Sequence, residues 1–152
     1  MSHGHKIPRS VLVVIYTADL QVLMLERAGW PGFWQSVTGS IEHEHEPLIQ
    51  TAAREVREET GIDALQYRLE DWGIENRFKI FKRHRSRYAH DVTHNQEHVF
   101  GLELPGLLPV PLEPTEHLRY EWLPWKEAAG RTPSWTNREA ILLLPQKRAG
   151  RA

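Results

Sequence analysis

The succession of apolar segments in this chain predicts a mixed α/β sandwich. Short β-branched or hydrophobic runs recur from residue 10 to residue 123. Only two long segments, 47–60 and 134–144, read as helices. A helix therefore does not follow each strand, which argues against a doubly wound parallel sheet.

Residues 10–17 (SVLVVIYT) form a β-branched run expected as a buried strand. Asp19, Leu20 and Gln21 make a turn, and 22–27 (VLMLER) returns as the second strand of a hairpin. Gly29, Pro31 and Gly32 break 28–32 into a loop, and 33–37 is a short strand leading to Thr38 and Gly39. In the helix over 47–60, Pro47 suits the first turn. Leu48, Ile49, Ala52, Ala53 and Val56 form its apolar face, and Gly61 is a natural C′ residue. Two strands are expected over 65–74 and 77–84, parted by a turn around Gly73-Ile74-Glu75-Asn76. Further strands fall at 97–104 and 118–123, with a rigid proline-rich loop over 105–114 between them. A helical turn at 125–129 precedes the last helix, which has Ser134 or Thr136 near its N-cap. No repeat, low-complexity tract or linker interrupts the chain, so residues 1–152 read as one domain.

Composition narrows the function classes. The net charge of -1 does not suggest a protein that coats nucleic acid or a membrane surface. Charge is uneven, with a basic run at 79–87 (KIFKRHRSR) and an acidic one at 42–59. Lys82, Arg83, Arg85 and Arg87 attract a polyanion or simply form a solvated edge. The lack of cysteine excludes disulfides, Cys-ligated zinc and a thiol nucleophile. The longest apolar runs, 11–16 and 141–144, fall far short of the roughly 20 residues that span a bilayer. Residues 1–6 lack an apolar signal core. These features lead us to expect a cytoplasmic protein, monomer or homodimer, with neither membrane nor nucleic-acid partners. His3 and His5, near the terminus, read as incidental rather than as a metal pair.

The helix over 47–60 carries the chemistry. Glu55, Glu58 and Glu59 crowd three carboxylates into five residues. Residues three and four apart on a helix are neighbours, so Glu55 and Glu59 lie together at the edge of the apolar face. Like charges on a partly buried edge repel unless a proton or a cation relieves them. Mg²⁺ takes carboxylate and phosphate oxygens. A solvated helix with weak pairing of Arg54 and Glu58 is the competing reading.

The segment 39–62, GSIEHEHEPLIQTAAREVREETGI, resembles the Nudix box, G-x5-E-x7-R-E-U-x-E-E-x-G-U with U aliphatic. The resemblance implies an α/β/α sandwich with a mixed β-sheet, and hydrolysis of nucleotide-like diphosphates with Mg²⁺ or Mn²⁺. One departure is visible: six residues separate Gly39 from Glu46 where the family has five. This reads as an insertion in the loop before the helix, and the loop lacks the glycine common before the first Glu. His43 and His45 in that loop are expected in solvent.

The likeness extends over about 6–142. VLVVIYTADLQVLMLERAGWPGFWQSVTGS, RFKIFKRHRSRYAHDVT, EHLRYEWL and PSWTNREAI resemble a Nudix subgroup of folate synthesis, the bacterial dihydroneopterin triphosphate pyrophosphohydrolases. The resemblance implies that Glu55, Glu59 and Glu116 hold the metal. It further implies that Lys6, Arg27, Thr38, Phe78, Lys79, Ile80, Phe81 and Ser134 contact a small-molecule triphosphate. Lys79 differs in charge from the acidic residue expected at its position. Phe78, Phe81, Trp34 and Trp135 either line an apolar slot for a flat ring or fill the core. Glu58 is the first candidate for the group that orients or deprotonates water, and Arg54 is expected to position the neighbouring carboxylates. Two further readings stay open: a house-cleaning pyrophosphohydrolase of nucleoside triphosphates such as dATP, and a ligand-binding module without catalysis.

Overall fold

A computed structural model describes residues 4–112 and 115–149. His3 therefore lies outside the described residues. The strands are β1 (Arg9–Thr17), β2 (Gln21–Arg27), β3 (Trp34–Gln35), β4 (Val37–Ser40), β5 (Arg68–Lys79), β6 (His94–Leu104) and β7 (His117–Pro124). The helices are α1 (Leu48–Thr60), α2 (Trp125–Arg131), α3 (Trp135–Leu142) and α4 (Leu144–Ala149).

All seven strands join one mixed sheet in the order β3-β2-β1-β6-β5, with β4 beside β1 and β7 beside β2. β1 and β6 run parallel, and the other pairs are antiparallel. β1 is buried on both faces, which explains its unbroken apolar run. Val11, Val13 and Ile15 pack with Ala52 and Val56 of α1. Leu12, Val14 and Tyr16 pack with Ala128 of α2, Ile141 of α3 and Leu144 of α4. The result is the expected three-layer α/β/α sandwich with a core on each side of the sheet.

Five local expectations are corrected. The two strands expected over 65–74 and 77–84 are one strand, β5, up to Lys79. Gly73 takes a left-handed φ of 68° and the register shifts between Asp71 and Ile74, so the glycine makes a bulge, not a turn. Beyond it, Lys82–Arg87 forms a 3₁₀ turn instead of continuing the strand. The short strand over 33–37 divides into β3 and β4 around Ser36. Pro47 is the extended N-cap of α1 rather than a first-turn residue. The last helix breaks at Leu143, and Pro145 then suits the first turn of α4.

Candidate active site

α1 ends as expected, with Gly61 at a φ of 75° and its N–H bonded to the Arg57 carbonyl. The helix phase places its acidic residues unequally. Glu59 is 7% exposed, the Glu55 side chain 13%, and the Glu58 side chain 55%. Glu55 and Glu59 thus border the core while Glu58 faces solvent.

Arg54 organises this face. Its Nε and Nη2 donate to the two oxygens of Glu46, each at 3.0 Å, a bidentate clamp. Its Nη1 reaches Glu55 at 3.0 Å and Glu58 at 3.5 Å, and its Nη2 also donates to the Ser40 carbonyl. The Arg54 hydrogen bond holds the Glu46 carboxyl down at about 2, against the effect of burial. Glu46 also accepts from the Glu42 N–H at 2.8 Å, closing the longer loop on itself. Glu42, Glu44, His43 and His45 are exposed on that loop.

Gly39 lies directly against the Glu55 carboxyl, in space that a Cβ would fill. Glu55 and Glu59 are within hydrogen-bonding reach of each other. Burial first, then mutual repulsion and the charge of Glu116, holds the Glu59 carboxyl well above the usual range; burial also raises Glu55. Glu59 Oε1 has no hydrogen-bond partner among the described residues. His117 Nε2 stands 3.6 Å from it, but burial and Arg27 hold that imidazole down at about 4, so the contact is with a neutral ring. Two buried carboxylates and an orphaned oxygen fit a hard divalent cation. Glu116 occupies the exposed turn before β7, tied to the end of β2 by a 2.9 Å bond from the Ala28 N–H to its carbonyl. Its charge is felt by Glu59, Lys6 and Arg27. Among the described residues, no three Asp, Glu or His side chains converge into a finished metal shell.

Beside the pair opens a cavity. Lys6, Arg27, Thr38, Phe78, Lys79, Ile80, Phe81 and Ser134 all line it. The Lys6 N–H donates to the Arg87 carbonyl at 2.8 Å, bringing the N-terminal arm onto the 3₁₀ turn. Burial, then the nearby Arg87, lowers both Lys6 and Arg27 from their ordinary values. None of these three cations forms an ion pair within 4.0 Å among the described residues. Phe81 meets Phe33 and Trp30 edge-on at 5.7 and 5.4 Å, forming an aromatic wall. Trp135 lines the cavity, but Trp34 is in the core below Arg119 and Arg131, so it belongs to packing and not to the slot. Asn137 pins the start of α3 to the β3–β4 junction, accepting from the Ser36 N–H at 2.7 Å and donating to its hydroxyl at 3.0 Å.

The fold and this arrangement agree with a match to the family model of the NUDIX domain over residues 6–144, and the chain belongs to the Nudix family, whose members generally need divalent metal ions. Among curated proteins it is 49% identical to the dihydroneopterin triphosphate diphosphatase of Escherichia coli (strain K12), over 90% of this chain and 91% of that one. It is 43% identical to the Haemophilus influenzae protein of the same name, over 90% and 87%. The solved structure of the E. coli dihydroneopterin triphosphate pyrophosphohydrolase superposes with a TM-score of 0.86 at 48% identity, covering 91% and 94% of the two chains.

Sequence reasoning overlooked Asn95, Glu97, Thr136 and Asn137, which also line the cavity. Asn95 and Glu97 carried a signal: they continue the inward face of β6 set by Val99, where polar groups are unusual.

Proposed function

We propose that this protein hydrolyses dihydroneopterin triphosphate to dihydroneopterin monophosphate and pyrophosphate, as a single cytoplasmic domain in folate synthesis. The observation that carries the reading is a juxtaposition. Lys6, Arg27 and Arg87, which form no ion pair within 4.0 Å among the described residues, stand beside Glu55 and the buried Glu59, whose Oε1 has no hydrogen-bond partner there. A metal-bound triphosphate satisfies both sets at once. The names of relatives covering nine-tenths of the chain support the pterin as its organic part.

Glu55 and Glu59 hold the metal, Mg²⁺ or in its place Mn²⁺, and Glu116 completes the set from its turn. Once bound, such an ion neutralises phosphate charge and makes water a better nucleophile. Lys6 and Arg27 grip the phosphate oxygens, with Thr38 and Ser134 as polar contacts. Phe78, Lys79, Ile80 and Phe81 flank the ring. Water adds across the α–β phosphoanhydride and the bond to the departing pyrophosphate breaks. Glu58, exposed and 3.5 Å from Arg54, takes the water proton. Arg54 sets the positions of Glu55 and Glu58.

A pyrophosphate-release assay with Mg²⁺ over pterin and nucleoside triphosphates tests this. The expected result is a kcat/KM for dihydroneopterin triphosphate above those for dATP and 8-oxo-dGTP. A strong preference for either nucleotide overturns the pterin assignment.

A further inference from the structure

Two buried acceptors in the cavity wall have no donor. Glu97 Oε1 and Asn95 Oδ1 both lack a hydrogen-bond partner among the described residues. They project from the same face of β6, and their residues are only 4% and 3% exposed. The Asn95 amide nitrogen is already used, donating to the Ser10 hydroxyl at 2.7 Å. The Thr136 hydroxyl reaches the Glu97 carboxyl and leaves the other oxygen free. Burying acceptors without donors is unfavourable, so this wall calls for a ligand rich in N–H groups.

We propose that Glu97 determines specificity for the ring of the substrate, accepting two parallel N–H groups from a 2-amino-4-oxopyrimidine edge, with Asn95 Oδ1 accepting a further ring N–H. This rests on the pterin reading above. The exocyclic amino group and the adjacent ring N–H lie side by side, as do two N–H groups of a guanidinium, and a carboxylate accepts such a pair in bidentate fashion. Replacing the amino group by an oxo group sets a lone pair against the carboxylate. Burial holds the Glu97 carboxyl up at about 7. Two donors draw it into the ionised form. Phe78 pairs with Asn95 across β5 and β6, placing an aromatic side chain beside this edge.

The test compares neopterin with its 2,4-dioxo counterpart, the matching lumazine, by fluorescence titration of wild type and Glu97→Gln. Wild type is expected to bind neopterin roughly 10- to 100-fold more tightly. Glu97→Gln should erase or reverse that preference, because its amide can donate to the 2-oxo group. The KM for dihydroneopterin triphosphate should rise in the variant by a similar factor, with a smaller change in kcat. Equal binding of the two rings by wild type overturns the inference, even if the variant fails to fold. So does a preference that survives in Glu97→Gln. Wild type that releases no pyrophosphate from dihydroneopterin triphosphate sinks the substrate reading instead, leaving the ring comparison to judge Glu97.

Discussion

Glu59 concentrates the chemistry in one side chain, because burial and Glu55 both disfavour its charge until a cation arrives. Glu59→Gln keeps the shape and removes that charge. Pyrophosphate release in Mg²⁺ should fall by at least about 100-fold, a loss beyond that typical of residues behind the metal ligands. Unchanged release would end the catalytic account. Glu97, also raised by burial, sets a pH dependence of its own. Its folded value near 7 lies above the ordinary 4.5, so the stability it lends as a neutral acid is complete below about pH 4.5 and is lost as pH rises through 7. Glu97→Gln should therefore gain stability over wild type across that interval, by on the order of 3 kcal/mol above it. Urea midpoints measured from pH 4.5 to 8 would show the difference; a gap independent of pH would contradict it.

Among the elements, α1 depends on a loop that its own Arg54 holds in place. Glu46→Ala leaves that guanidinium partly buried without its bidentate partner, and should destabilise the fold by roughly 3 kcal/mol. The corresponding fall in Tm is about 6–12 °C for a chain of this size, measurable by thermal melting. The same elements show what the sequence made legible. Helix phase alone separated Glu55 and Glu59 from Glu58, because the period of 3.6 residues is a local property. Gly73 misled, since a glycine suits a turn or a bulge equally and only the register with β6 decides. Glu46 as the partner of Arg54 was not legible either. That pairing depends on how a lengthened loop folds back, and no periodicity records it.

At the scale of the whole molecule, the two layers divide the labour. α1 brings the carboxylates from one side of the sheet, while α3 closes the cavity from the other. Binding of metal and triphosphate should therefore be mutually reinforcing, each relieving charge that the other leaves exposed. A non-hydrolysable α,β-methylene analogue of the pterin triphosphate with Mg²⁺ should raise the Tm by more than the sum of the separate shifts. Additive shifts would mean that the two sites are uncoupled.

The bare α-carbon of Gly39 offers a practical handle. Its backbone is not in the left-handed region, so alanine is conformationally acceptable there, yet the added methyl would occupy the seat of the Glu55 carboxyl. Gly39→Ala should thus yield a folded protein that still captures neopterin but no longer cuts the triphosphate, measurable by fluorescence titration beside pyrophosphate release. One methyl group, placed on a strand outside the catalytic helix, would turn the enzyme into a trap for its own intact substrate.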